Sequence, residues 1–183
     1  MLRRASGLSR RFSSSADAGL IFGGERASDA HRATFRAWHD AVAGVLHGTM
    51  ATEPAMDLLK PHMDPDCIFR PPTYFKPWQG RDETLLLLGT VGEVFGQSFS
   101  YGRQWLSEDG REWALEFSAD IAGNEKHRVH GIDLVSLCEV GRIKEFVVLA
   151  RPPNAVEALK AEMMKRVPMR LAKLKAKQAL GMA

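Results

Sequence analysis

The sequence predicts an α+β domain, a cone-shaped, curved antiparallel sheet with helices packed over its concave face. Three observations predict it. Apolar residues recur at three- and four-residue spacing as far as about Gly96, and at two-residue spacing from Phe99 onward. Glu108-Asp109-Gly110 is a hairpin signal between two alternating runs. Apart from one short strand, helices precede strands, so they have one place to go, over one face of a continuous meander.

The elements follow in order. Ser28 or Asp29 caps a first helix whose stripe is Phe35, Trp38, Val42, Val45 and Leu46, ended by Gly48. A second helix fits Pro54 to His62, with proline in its first turn. Asp64-Pro65-Asp66 reads as a turn, and Cys67 to Arg70 as a short strand stopped by Pro71-Pro72. Thr73 to Gly80 reads as an ordered loop holding Tyr74, Phe75 and Trp78. A helix capped by Asp82 then runs through Leu85, Leu88, Val91 and Phe95.

Phe99, Tyr101, Arg103 and Trp105 alternate as one face of a strand. The next strand places Trp113, Leu115, Phe117, Ala119 and Ile121 on one face, and Glu116, Ser118 and Asp120 on the other. Ala122 to Glu125 turn into a strand over Val129 to Leu137, and Gly141-Arg142 turn into a last strand over Ile143 to Ala150. Asn154 caps a C-terminal helix carrying Val156, Leu159 and Met163, which Pro168 is expected to interrupt. The predicted organisation is a targeting peptide over 1–12, a lead-in over 13–28, one domain over 29–165 and a basic helical tail over 166–183.

A chain of 183 residues is long enough for one domain with a real core. Runs of large apolar side chains such as Leu85 to Leu88 are far short of the roughly 20 residues that span a bilayer, so no transmembrane segment is expected. The formal charge of +3 is segregated. Arg3, Arg4, Arg10 and Arg11 lie in an acid-free start, and six basic residues (Lys165, Arg166, Arg170, Lys173, Lys175, Lys177) follow the last acid, Glu162. Of 25 basic and 22 acidic residues, that leaves seven more acids than bases between the ends. An acidic body argues against a nucleic-acid partner, which would need a basic stripe on the folded surface. Cys67 and Cys138 lie far apart with no Cys/His cluster around them, so neither a disulfide scaffold nor a metal site is expected, and no cofactor is.

Residues 1–16, MLRRASGLSRRFSSSA, are rich in Arg and Ser, free of acid, and lack the apolar stretch of a secretory signal. Leu2, Leu8 and Phe12 gather on one side of a helix, and Arg10-Arg11-Phe12-Ser13 resembles a matrix-processing site. The expected location is the mitochondrial matrix.

The element order, and the phrase Gly131-Ile132-Asp133-Leu134-Val135-Ser136-Leu137 followed by Gly141-Arg142-Ile143, resemble the nuclear transport factor 2-like superfamily. Within it the likeness is to the SnoaL-like polyketide-cyclase and ketosteroid-isomerase group, over roughly residues 30–155. Phe69-Arg70-Pro71 and Gly80-Arg81 agree with it. The resemblance implies that Asp133 stands where the isomerases keep a protonated aspartic acid, a donor to a developing enolate oxygen. Val129, Val135 and Leu137 share its strand face, and such surroundings raise a carboxyl pKa. The resemblance also implies a base immediately before the proline that closes the short strand. Here that residue is Arg70, which stays protonated and cannot act as one. Nor does the first helix carry the tyrosine that the isomerases use as a second donor.

Asp133 is accordingly the candidate catalytic acid, with a structural acid paired to Arg70 as the alternative. Trp38, Phe69, Tyr74, Trp78, Trp113 and Phe117 are candidate walls of an apolar pocket, or plain core. Arg70 is a candidate anion clamp and His130 a candidate rim residue. His127 has the opposite strand parity to His130, so the two cannot form a metal pair, and His39 is a weaker candidate for the site. The expected partners are a hydrophobic small molecule and a second copy of the chain. An accessory role in a mitochondrial assembly is the alternative, with the basic C-terminus touching anionic membrane.

Overall fold

The computed structural model describes residues 26–181, so the targeting peptide expected over 1–12 lies outside the described residues, as does most of the lead-in. Helix α1 (Asp29–Leu46) begins at a capping box: the Ser28 hydroxyl accepts from the His31 backbone while the His31 ring closes back on Ser28. Helix α2 (Thr52–Leu59) and a short 3-10 turn lead into strand β1 (Met63–Arg70). Strand β2 (Trp78–Gln79) comes next, then helix α3 (Arg81–Phe95). Strands β3 (Ser100–Leu106), β4 (Glu112–Ile121), β5 (Asn124–Leu137) and β6 (Ile143–Arg151) follow, and helix α4 (Pro153–Ala179) closes the chain.

The strands form one six-stranded sheet in the order β2-β1-β6-β5-β4-β3, antiparallel except where β1 runs parallel to β6. The helices lie over its inner face. The core between them includes Phe35, Trp38, Leu59, Trp113, Leu115, Val135 and Phe146, each at most 4% exposed. Buried aliphatic and aromatic side chains of this kind are worth roughly 1.5–3 kcal/mol apiece, which is what holds the layers together.

Five local expectations change, one being that Asn154 lies inside the last helix, whose N-cap is Pro152. The Asp64-Pro65-Asp66 turn is absorbed into β1, whose pairing with β6 slips between Met63 and Ile68. Part of the expected loop pairs with β1 as β2. The N-cap of α3 is Gly80 at φ +104, a conformation glycine adopts without strain, rather than Asp82. Pro168 does not break the last helix, because α4 runs from Pro153 to Ala179 and is pinned beyond the proline. The Arg170 guanidinium donates to both Glu93 carboxylate oxygens (3.0 and 2.7 Å) and to Thr90 Oγ1 (3.2 Å) on α3.

Strand β3 holds the change that matters for the site. Tyr101 opposes Phe117 and Gln104 opposes Leu115, so Gly102 and Arg103 together face the single residue Glu116. This bulge reverses the strand's parity. Tyr101 points inward, whereas Arg103 and Trp105 point outward, the guanidinium 5.2 Å from the indole centroid. No helix among the described residues is long and apolar enough to cross a membrane.

Candidate functional site

The helices and the inner sheet face enclose an apolar cavity of about 340 Å³. Its walls come from every layer: Trp38 and Val42 of α1, Met56 of α2, Phe69 of β1, Leu88 and Phe95 of α3, Phe117 of β4, Phe146 and Val148 of β6, and Met163 and Val167 of α4. Two lining residues that also reach solvent, Tyr74 (38% exposed) and Met164 (55%), touch each other, the Tyr74 hydroxyl lying 2.7 Å from Met164 Sδ. The cavity therefore opens between the Pro71–Tyr74 turn and the second half of α4. A volume of this order suits a small organic ligand.

Gly131 on β5 shapes the floor. A Cβ there would lie 2.4 Å from Phe117 Cζ and 2.7 Å from the Leu149 carbonyl oxygen, so only a glycine lets the Phe117 ring lie down on the sheet. The ring then stacks on Phe99, centroids 5.6 Å apart. One step along the same face comes Asp133, 6% exposed, the only carboxylate in a lining that has no lysine, arginine or histidine. Its hydrogen-bond partner is Tyr101, whose hydroxyl lies 3.4 Å from Oδ2. Tyr101 in turn accepts from Trp38 Nε1 at 2.8 Å.

Burial with no charged partner penalises the carboxylate, and the Asp133 pKa is pushed up to about 8 by desolvation, partly offset by the Tyr101 bond. The carboxyl is thus mostly neutral at pH 7 and holds an O–H proton next to the cavity. Burial, and then the neighbouring Asp133, hold the Tyr101 phenol well above its ordinary value, so it too keeps its proton.

Six candidates line this one cavity: Asp133, Trp38, Phe69, Tyr74, Trp78 and Phe117. Three do not. Arg70 points to the outer face and pairs with Glu145, Nε to Oε1 2.7 Å, so it neither clamps a ligand in the cavity nor neutralises Asp133. Trp113 is core, its indole N–H donating to the Gly110 carbonyl (2.9 Å) and its ring edge-on to Phe35 at 5.1 Å. His130 is exposed on the outer face between Ser118 and Arg151, because its parity is opposite to that of Asp133. His39 lies behind Tyr101, held between the Phe35 carbonyl (2.9 Å) and the Gln104 side chain (3.0 Å), with burial lowering its pKa.

Sequence reasoning missed Tyr101. It sought a second hydroxyl donor on the first helix, whereas the structure supplies one from β3, turned inward by a bulge that alternation does not reveal. Among the described residues no group of three His, Cys, Asp or Glu side chains is placed to hold a metal ion.

Among solved structures, the chain is similar to a steroid delta-isomerase from Pseudomonas aeruginosa, with 35% identity, a TM-score of 0.66, and coverage of 80% of this chain and 97% of that one. It is also similar to an uncharacterised protein conserved in bacteria, with a cystatin-like fold, from Silicibacter pomeroyi. There the identity is 34%, the TM-score 0.61, and the coverage 79% and 97%. No family model and no curated protein matches it. Identity above 30% over nearly the whole of both relatives, together with the helix-covered sheet, means that the chain belongs to the nuclear transport factor 2-like superfamily.

Proposed function

We propose that this chain binds an apolar small molecule bearing a hydrogen-bond-accepting oxygen, and that protonated Asp133 meets that oxygen. One observation carries the reading: a single neutral acid, without a charged partner, set in an otherwise apolar wall. A buried O–H with room beside it is stabilised by an acceptor that a ligand brings in. The similar chain from Pseudomonas aeruginosa is a steroid delta-isomerase, which makes a steroid the first ligand to try. Isomerisation also needs a group that removes a proton, and the cavity wall offers an acid but no second carboxylate, histidine or lysine. The residues present bind and polarise a carbonyl, and a base would have to arrive from solvent or with the ligand.

A thermal-shift screen over steroids, quinones, polyketides and acyl thioesters tests this reading. An apolar carbonyl compound is expected to raise the Tm, and Asp133→Leu, which removes both hydrogen-bonding groups at similar size, is expected to abolish the rise. A screen in which none of these compounds raises the Tm would overturn it.

The proposed place of work is the mitochondrial matrix, supported by the composition of residues 1–16. Fusing residues 1–30 to a fluorescent protein is expected to send it to mitochondria. A homodimer through the outer sheet face is proposed as well, supported by exposed Trp105, Leu134 and Leu149. Light scattering on the purified chain tests it. Of the six basic residues proposed to meet anionic membrane, three form ion pairs within the fold. Lys165 and Arg166 pair with Glu162, and Arg170 pairs with Glu93.

A further inference from the structure

Three hydrogen-bonding groups from three elements meet on the cavity wall, and their chemistry restricts how they share protons. The Trp38 indole N–H only donates. It donates a hydrogen bond to the Tyr101 oxygen at 2.8 Å, which leaves Tyr101 its own O–H and one lone pair for Asp133. While Asp133 is neutral, Tyr101 and Asp133 hold two O–H protons between them, and a single bond joins the pair. One proton is left for the cavity. Once Asp133 is ionised, the Tyr101 O–H donates its hydrogen bond to the carboxylate, and the trio then presents only acceptors.

Nothing else nearby alters this count. Beside Asp133 on the sheet are Leu115 of β4 and Val148 of β6, and Phe117 of β4 with Leu159 and Met163 of α4 line the same cavity. Helices α2 and α3 contribute apolar residues and Thr52 to the wall, α1 contributes Trp38, and the turn after β1 contributes Thr73 and Tyr74 at the mouth, where the Tyr74 hydroxyl is taken up by Met164 Sδ. His39, behind the Tyr101 ring, is occupied by Phe35 and Gln104.

We propose that Trp38 and Tyr101 are positioning residues that make this wall a single-donor site, so that binding of a ketone follows the protonation of Asp133 while binding of the matching alcohol does not. A ketone oxygen only accepts, so it has a partner only while the wall keeps its proton. An alcohol can accept from the neutral acid or donate to the carboxylate. This inference rests on the reading that the cavity takes a small molecule at Asp133.

Decalone and decalol, one bicyclic skeleton with either oxygen, test it by calorimetric titration of the full chain from pH 6.5 to 9.5. Decalone affinity is expected to fall about 30-fold toward pH 9.5, because a group titrating at about 8 is then protonated in only about one molecule in 30. Decalol affinity is expected to change less than about 3-fold, since the alcohol keeps a partner in both states. Asp133→Asn carries a permanent N–H donor and is expected to bind decalone equally across the range.

Tyr101→Phe removes the bond that favours the carboxylate, and Trp38→Phe loosens it. Both are expected to move the decalone midpoint to higher pH. Residues that only pack would weaken binding at every pH and leave the midpoint in place. If neither compound binds at any pH, the cavity reading fails. If both bind with one pH profile, or if the midpoint stays put in both variants, that reading stands and the single-donor assignment is wrong.

Discussion

Replacing Asp133 by Asn turns a buried, titrating carboxyl into a neutral group of the same shape, with an oxygen that can still accept from Tyr101. In the folded chain the Asp133 pKa is pushed up from 3.8 to about 8, chiefly by burial; once unfolded the group returns to its ordinary value. Between those two values the folded state holds a proton that the unfolded state has released. The stability it confers is therefore fully present below pH 4 and is lost as pH rises through the folded value near 8. Each pH unit is worth about 1.4 kcal/mol, so the whole window amounts to something on the order of 5 kcal/mol. That is a large share of the roughly 5–15 kcal/mol that holds a domain folded. Urea unfolding of both proteins from pH 4 to 9 measures it, because every other titrating group is common to the pair and cancels in the difference. The Asn variant is expected to gain on the parent steadily up to pH 8 and then hold a constant lead. Parallel profiles would show that Asp133 is hydrated or paired in solution, and would refute the neutral-acid reading.

Further outcomes follow from the same geometry. Gly131→Ala forces the Phe117 ring off the sheet and into the cavity, with an expected cost of about 1–3 kcal/mol and loss of ligand-induced thermal shift. Arg70→Ala breaks only a partly exposed pair with Glu145, so it is expected to cost less than about 1 kcal/mol and to leave the pH profile of stability unchanged. Arg170→Ala releases α4 beyond Pro168. Global stability is expected to fall by less than about 1 kcal/mol, while hydrogen exchange over residues 170–179 rises well above that of 153–165.

The fold was legible in the sequence wherever one period ran unbroken. Trp113 to Ile121 alternates cleanly, and the structure buries the face that alternation selects. The Phe35, Trp38 and Val42 stripe packs inward as its spacing predicts. Reading failed where backbone irregularity intervened. A bulge is one extra residue, invisible to composition, yet it turned Tyr101 inward and Trp105 outward. Pro168 reads as a helix breaker, but it sits on the cavity side of α4, and the Arg170 clamp to α3 holds the helix on past it. His130 was misplaced for a simpler reason, because its own parity against Asp133 already put it outside.

The parity of β1 bears on the missing base more directly than the identity of residue 70 does. Phe69 lies opposite Phe146 and faces the cavity; Arg70 lies opposite Val147 and faces Glu145 on the outside. In this register, a carboxylate at position 70 would stand in solvent beside another acid, across the sheet from any bound ligand. The position that reaches the cavity from β1 is Phe69, followed by Pro71 and Pro72 where the chain turns along the wall. Proton abstraction from a ligand is therefore closed to residue 70 by backbone geometry as well as by side-chain chemistry. What remains on the inside is the other half of such a site, an acid kept neutral by its surroundings and aligned by Tyr101 and Trp38. Under the function proposed above, a wall of that kind would bind and polarise a carbonyl oxygen.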